Sequence, residues 1–129
     1  MAIVRTNSYD EARNIGKALV ESKVSVLEFT TTCPKVFDLI EEFSQSTSVH
    51  IGVGTVLTES DVLNSKRAGA TFIVSPNTDA DIIKATKSAG LLSIPGVATA
   101  TDVAIAIKNG SDALKLFPAS TYGPSQSSS

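Results

Sequence analysis

Lys115 is the one charged residue in a short apolar run, "ALKLFP" at 113–118. Burial among apolar groups disfavours an ammonium ion, so a lysine in such surroundings carries more free amine than a lysine in water. A free amine attacks a ketone to give a Schiff base. The opposing interpretation is an edge-strand lysine, whose stem lies along apolar surface while its ammonium group reaches water.

Glu28 is the acidic residue of "VSVLEFT" at 24–30, a run of mostly apolar residues. A carboxylate partly withdrawn from water can move protons during carbinolamine dehydration and during cleavage of the adjacent carbon–carbon bond. A lysine and a glutamate at strand ends are therefore the minimal set for imine chemistry. Spacing alone leaves a structural ion pair open as the alternative.

The chain has a single histidine, His50, and a single cysteine, Cys33. These two residues cannot build a His/Cys metal cluster, and one cysteine cannot form an internal disulfide. We therefore predict no metal site. Both residues are interpreted as packing or plain surface positions.

Composition excludes several classes of function. The 129 residues are 42% apolar, which indicates one globular domain, and the net charge is only -2. Basic residues are scattered, so we expect no nucleic-acid partner. The apolar runs fall far short of the ~20 residues of a membrane span, and no charged leader precedes an apolar core. With one cysteine, the chain is predicted to be cytoplasmic.

The elements that must position these residues alternate along the chain. Between six strand-like runs lie five segments with helical spacing. The first of these segments is predicted to start at Ser8 as N-cap, with Glu11 completing a capping box. Its buried face should carry Ala12, Ile15, Ala18 and Leu19. The strand-like runs span 2–6, 24–30, 49–55, 71–75, 91–96 and 112–117.

Signals at the ends of the later helices are equally specific. Pro34 is placed in the first turn of the second helix, whose buried face should carry Val36, Leu39, Ile40 and Phe43. A glycine just past each of the last three helices predicts a left-handed C-cap. These glycines are Gly69, Gly90 and Gly110.

This α/β order suits a parallel sheet covered by helices on an open doubly wound plan or on a (β/α)8 barrel plan. Length alone favours the open sheet, since a barrel normally needs about 250 residues. The chemistry favours the barrel: "VRTNSYDE" after the first strand has no glycine-rich phosphate loop, and "GVGT" at 52–55 lacks the third glycine. Barrel active sites lie where strands end, and polar residues recur there, namely Arg5, Glu28, Thr55, Ser75 and Lys115.

Five motifs carry a resemblance over nearly the whole chain: "VLEFTTTCP", "GVGTVL", "FIVSPN", "IPGVATATD" and "LKLFPAS". In order and spacing the chain resembles the 2-keto-3-deoxy-6-phosphogluconate (KDPG) aldolases, which often also accept 4-hydroxy-2-oxoglutarate. The resemblance implies a class I aldolase on a (β/α)8 barrel, usually a homotrimer, that needs no metal or cofactor. Its small-molecule keto-acid substrate would yield pyruvate and glyceraldehyde 3-phosphate, or pyruvate and glyoxylate.

The resemblance also implies a role for individual residues. Lys115 of "LKLFP" corresponds to the Schiff-base lysine, and Glu28 of "LEFT" to the general acid/base, acting through a water. Thr55 of "GVGT" corresponds to a ligand of the pyruvate carboxylate. Arg5 of "IVRT" resembles an arginine that faces substrate.

Further positions complete this implied site. Thr32 of "TTTCP" stands where some relatives have arginine and others threonine. Pro95 and Phe117 resemble apolar walls that keep the imine dry. Thr30 and Thr31 are interpreted as β-branched strand and loop residues without a role in the site.

The chain departs from the family at its end. Relatives continue past "FPAS" with two further strands whose loops bind the substrate phosphate, whereas this sequence ends "YGPSQSSS". We expect a partial barrel domain of about six βα units over 1–124, with first and sixth strands as free edges, and a disordered serine-rich tail over 125–129. Three hypotheses remain: an active aldolase, an inactive fragment or pseudoenzyme of the family, and a non-enzymatic α/β module.

Overall fold

The computed structural model describes residues 1–117, in which strands and helices alternate. The expected domain limit at 124 and the expected tail at 125–129 lie outside the described residues. The strands are β1 (Ala2–Val4), β2 (Val26–Thr30), β3 (His50–Gly54), β4 (Phe72–Ser75), β5 (Leu92–Val97) and β6 (Lys115–Leu116). The helices are α1 (Tyr9–Glu21), α2 (Val36–Ser46), α3 (Glu59–Ala68), α4 (Ala80–Ser88) and α5 (Ala100–Lys108).

Within the described residues the strands form one sheet in the order β1-β2-β3-β4-β5-β6, with every neighbouring pair parallel. A doubly wound sheet reverses its strand order at a switch point, whereas a barrel adds each strand beside the previous one. The observed order therefore confirms the barrel plan of about six βα units. β1 and β6 are the edges of the described sheet.

The sheet has two distinct faces because side chains alternate along each strand. The outer face, which carries Leu27, Phe29, Ile51, Val53 and Ile73, lies under the helices and forms the main core with them. α2 contributes the four predicted residues, Val36, Leu39, Ile40 and Phe43, all buried. The Phe43 ring lies 5.1 Å from the Phe29 ring, centroid to centroid.

The inner face is defined by the register that aligns Ile3, Glu28, Gly52, Phe72 and Leu92 across neighbouring strands. Within residues 1–117 the helices pack against the outer face and leave the inner face without a helix layer. Ile3 is 45% exposed and Leu92 is 51% exposed. A cavity of about 430 Å³ opens on this face near the strand starts, lined by Val26, His50, Thr71, Phe72, Leu92 and Ile94.

The buried face of α1 differs from the predicted one. Ala12 is buried, but Ile15 is 39% exposed and Ala18 is also exposed. Gly16 takes the core position instead, because a Cβ there would come within 2.7 Å of the Phe43 ring and 2.9 Å of the Phe29 ring. Two large rings fill the space that the predicted pattern assigned to α1 side chains.

The helix termini follow most of the predicted signals. Ser8 caps α1 by accepting a hydrogen bond from the Glu11 N–H. The predicted capping box does not form, because the Ser8 N–H donates to the Thr6 hydroxyl oxygen and the Glu11 carboxylate accepts from that hydroxyl. At α5, by contrast, the N-cap Thr99 and Asp102 form a full capping box. The glycines after α3, α4 and α5 have φ of 101°, 79° and 92°, which confirms the left-handed C-caps.

Pro34 lies outside α2, contrary to the prediction. The helix begins at Val36, and its N-cap is Lys35, with φ of 53°. Pro34 therefore belongs to the turn that follows β2. The left-handed backbone of Lys35 separates Pro34 from the first helical residue, so the proline cannot belong to the first turn of α2.

Candidate active site

Glu28 lies in the middle of β2 on the inner face, and only 1% of it is exposed. Its Oε1 has no hydrogen-bond partner among the described residues. The other carboxylate oxygen lies against the Cα of Gly54 on β3, where any Cβ would overlap it. The carboxyl group thus occupies space that only a glycine leaves open.

Burial is the main influence on the acidity of this group. It raises the pKa of Glu28 above the ordinary value of 4.5, because withdrawal from water disfavours the carboxylate. The positive charges of Lys115 and Arg5 act in the opposite direction and lower the pKa, but by less. A carboxyl group whose pKa is raised by burial is better suited than an ordinary carboxylate to hold and pass on a proton.

Lys115 lies on β6 opposite Gly96 of β5, and its side chain is half-buried. The register puts Lys115 on the inner face, the same face as Glu28. Its Nζ lies 5.5 Å from the centroid of the Phe117 ring. Amine and carboxyl group therefore share one face and interact electrostatically, as the sequence predicts for an imine-forming pair.

Phe117 lies beside the lysine, and its N–H donates to the Val97 carbonyl at 2.9 Å. Its ring covers Gly96, where a Cβ would overlap the ring and also come within 2.6 Å of the Pro76 carbonyl oxygen. The ring thus lies against the strand next to Lys115 and is still partly exposed; its role as an apolar wall stays a prediction.

Arg5 and Thr55 are joined at the carboxyl end of the first and third strands. The Arg5 Nη2 donates to the Thr55 hydroxyl at 3.1 Å. Thr55 has φ of 59°, a left-handed conformation that is uncommon for a residue other than glycine. Arg5 and Thr55 therefore belong to the group that contains Glu28 and Lys115.

The structure does not bring every predicted residue to this group. Pro95 is buried and pairs with Ser75, and both lie on the outer face because they alternate with inner-face positions. Gly96, the next residue, lies on the inner face against Phe117. Pro95 therefore does not line the inner face, where an apolar wall beside the imine would lie. Thr32 is exposed, and its hydroxyl lies 2.6 Å from that of Thr30.

Two residues of the site have contacts that the sequence interpretation did not assign. Gly54 accommodates the Glu28 carboxyl, and the signal for it was present in "GVGT" as a glycine in strand context. Thr31 was interpreted as a loop residue, but its hydroxyl donates to the Thr55 carbonyl at 2.8 Å. No local pattern marks Thr31, because its partner is 24 residues away.

Two negative observations concern residues 1–117 only. No helix in this part of the chain is both long and apolar enough to cross a bilayer. Nor does this part bring together three or more His, Cys, Asp or Glu side chains in a group that could hold a metal ion.

Comparison with known proteins assigns the chain to a family. The model of the KDPG and KHG aldolase family matches residues 1–126. The chain belongs to this family. Among curated relatives, a probable 2-dehydro-3-deoxy-6-phosphogalactonate aldolase of Rhizobium meliloti is 35% identical over 127 residues, covering 97% of this chain and 60% of the relative.

Solved structures of the aldolase family have the same fold. The KDPG aldolase of Zymomonas mobilis with 3-phosphoglycerate superposes with a TM-score of 0.83 at 32% identity, covering 94% of this chain and 58% of that one. The KDPG aldolase of Legionella pneumophila, with pyruvate captured as a covalent carbinolamine, gives a TM-score of 0.81 at 27% identity, covering 93% and 60%. The chain thus spans about three fifths of the length of these relatives.

Proposed function

We propose that this chain carries the imine-forming half of a class I aldolase. The observation that carries the proposal is the pairing of two groups on the inner face: a buried carboxyl with an unpartnered oxygen, Glu28, and an amine that acts on it electrostatically, Lys115. Support also comes from the Legionella relative, whose crystal structure contains pyruvate captured as a covalent carbinolamine. The names of the relatives favour a phosphorylated 2-keto-3-deoxy acid as substrate.

The reaction would begin with attack of the Lys115 amine on the C2 ketone. The carbinolamine so formed loses water and becomes a protonated imine. Glu28, acting through a water, removes the proton of the C4 hydroxyl group. The C3–C4 bond then breaks: its electron pair moves toward the imine nitrogen, and the aldehyde product leaves.

An enamine of pyruvate remains on Lys115 after this cleavage. It takes up a proton at C3, supplied through Glu28, and the resulting imine is hydrolysed to pyruvate and free lysine. Arg5 and Thr55, joined by their hydrogen bond, would hold the pyruvate carboxylate. Phe117 would shield the imine from water; its ring already covers the neighbouring strand at Gly96. With 4-hydroxy-2-oxoglutarate, a five-carbon keto acid, as the substrate, glyoxylate would leave instead.

Several finer expectations rest on the family resemblance. We infer that the complete enzyme acts in the Entner–Doudoroff route of carbohydrate breakdown, as a homotrimer in the cytoplasm. These inferences do not depend on the inner-face geometry. Sedimentation equilibrium of the purified protein tests the trimer directly.

A second candidate is a chain of this family without aldolase activity. The observation that favours it is the partial exposure of the inner face among residues 1–117, where Ile3 and Leu92 are about half exposed. Water reaching this face would weaken the electrostatic interaction between Lys115 and Glu28 and would hydrolyse an imine. A folded protein that forms no adduct with pyruvate would support this second candidate.

The decisive experiment is reductive trapping with pyruvate and sodium borohydride, followed by intact-protein mass spectrometry. We expect a mass gain of one reduced pyruvate imine, absent from Lys115→Ala and retained in Lys108→Ala. Lys108 is an exposed lysine at the end of α5, so its substitution controls for labelling of an ordinary amine. Equal labelling of all three proteins would refute a specific role for Lys115.

A further inference from the structure

We propose that Thr31 is a positioning residue of the imine-forming site, an inference that rests on the proposed aldolase function. Thr31 follows β2 and makes two hydrogen bonds to the end of β3. Its hydroxyl donates to the Thr55 carbonyl at 2.8 Å, and its N–H donates to the Gly54 carbonyl at 3.0 Å. Thr31 thus bonds to both Gly54, which contacts the Glu28 carboxyl, and Thr55, which bonds to Arg5.

The hydroxyl contact matters because Thr55 is in an unfavourable backbone conformation. With φ of 59°, this β-branched residue lies in the left-handed region, which only the surrounding structure can maintain. The Thr31 hydroxyl binds the carbonyl of this same residue. Its loss would therefore allow Thr55 to relax toward a commoner conformation.

A change in the Thr55 backbone would alter the position of Arg5 and, through the charge of Arg5, the pKa of Glu28. The Thr55 hydroxyl accepts from the Arg5 guanidinium at 3.1 Å, and the Arg5 charge acts on Glu28 to favour its carboxylate. Among residues 1–117, the charged groups that act on Glu28 are Lys115 from β6 and Arg5 from the end of β1. If Arg5 no longer bonds to Thr55, its positive charge is held less firmly near Glu28. It then counteracts the rise in the Glu28 pKa caused by burial less strongly.

The neighbouring threonines do not share this role. The hydroxyl groups of Thr30 and Thr32 lie 2.6 Å from each other and form their own pair. Among these three residues, Thr31 is the one whose side chain bridges to the end of β3. Its hydroxyl can therefore be removed without breaking the neighbouring pair.

The test compares Thr31→Val, which removes only the hydroxyl, with Thr31→Ser, which keeps it. The first readout is the pyruvate concentration that gives half-maximal borohydride labelling of Lys115. We expect this concentration to rise about fivefold in Thr31→Val, the effect of one lost hydrogen bond of about 1 kcal/mol. Thr31→Ser should stay close to the unchanged protein, with full labelling at saturation in all cases.

The second readout is the pH dependence of deuterium exchange at the pyruvate methyl group, followed by proton NMR. Exchange needs Glu28 as a base, so its rate rises with pH through the pKa of Glu28. Thr31→Val should move this rise to higher pH, because Arg5 no longer opposes the effect of burial as strongly. A purely structural defect would lower the amplitude without moving the pH of the rise.

Thr71→Val is the matched control. The Thr71 hydroxyl donates to the Ile51 carbonyl at 3.3 Å, at the opposite ends of the strands, so its loss should change neither readout. Thr31→Val that behaves like the unchanged protein would overturn the inference, and so would Thr31→Ser that loses pyruvate affinity despite its hydroxyl. An unchanged protein that takes no label would overturn the proposed function itself, and the inference with it.

Discussion

The carboxyl group of Glu28 lies directly against the Cα of Gly54, on the neighbouring strand β3. This contact gives a physical reason for the second glycine of "GVGT". The glycine provides space for the buried acid next to it. The motif is therefore part of the site, although Gly54 contributes no side chain.

Gly54→Ala should remove most of the proposed activity. The added Cβ would overlap the Glu28 carboxyl, so the side chain must leave its place on the inner face. We expect pyruvate methyl exchange to fall by about 10²-fold or more, the effect of a misplaced general base. Overpacking of this kind should also lower the free energy of unfolding by about 1–3 kcal/mol, measured by urea denaturation.

Gly90→Ala separates the two effects of that substitution. Gly90 has φ of 79°, so alanine there is strained and destabilising. The added Cβ would nevertheless have space, because it would meet only the Lys66 ammonium, at 3.8 Å. Exchange per folded molecule should be unchanged in Gly90→Ala. If both variants lost exchange equally, the effect of Gly54→Ala would be one of stability alone.

The alternation of strands and helices and the inner-face pair were predictable from local patterns, whereas the barrel order of the strands was favoured by the polar strand ends and the family resemblance. Even spacing of strand-like runs and glycine C-caps fixed the βα repeat, and polar residues at strand ends indicated where chemistry occurs. Lys115 and Glu28 share a face because their strands alternate in phase, and the family motifs "LEFT" and "LKLFP" pointed to both. Such signals lie within a few residues of the position they describe.

The errors concern positions decided by distant residues. Ile15 is exposed and Gly16 buried because Phe29 and Phe43, from two other elements, fill the space beneath α1. Pro95 lies on the outer face because its register with β4 sets the phase of β5. Neither outcome can be derived from the residues immediately around the position.

Glu28→Gln should gain stability relative to the unchanged protein as the pH rises, so that the difference in the free energy of unfolding between the two proteins grows. Burial raises the pKa of Glu28 in the folded state above the ordinary value of 4.5. The folded state therefore binds more protons than the unfolded state between these two values, and stability falls as the pH rises through them. Glutamine does not ionise and escapes this loss.

Urea denaturation of both proteins at pH 4 and pH 7 measures this difference. The stability advantage of Glu28→Gln should be larger at pH 7, while methyl exchange falls by about 10²–10⁴-fold through loss of the base. A constant difference in stability at the two pH values would contradict a raised pKa. Glu59→Gln, an exposed acid at the start of α3, is the control and should show no growing advantage.

Asp112 anchors the segment that leads into β6 and so helps to place Lys115. Its carboxylate accepts from the Lys87 ammonium at 2.7 Å and from the Ser93 N–H at 2.8 Å. The N–H groups of Asp112 and Ala113 both donate to the Ser93 carbonyl, at 2.9 and 3.2 Å. The hydrogen bond from Lys87 is the main cause that lowers the pKa of Asp112, and the Ser93 N–H acts in the same direction.

Asp112→Asn should therefore destabilise the protein at neutral pH but not in acid. A group whose pKa is lower in the folded state adds stability above its unfolded pKa, near 3.8, and loses it as the pH falls through the folded value. Both side chains of the ion pair are about one-third exposed, so water screens it and the loss at pH 7 should stay below about 1 kcal/mol.

Lys87→Met should give a similar loss at pH 7, and Asp112→Asn combined with Lys87→Met should add little to either single change. If the two losses were additive, the ion pair would not be their common cause, and the anchoring of β6 would rest on the Ser93 hydrogen bonds alone.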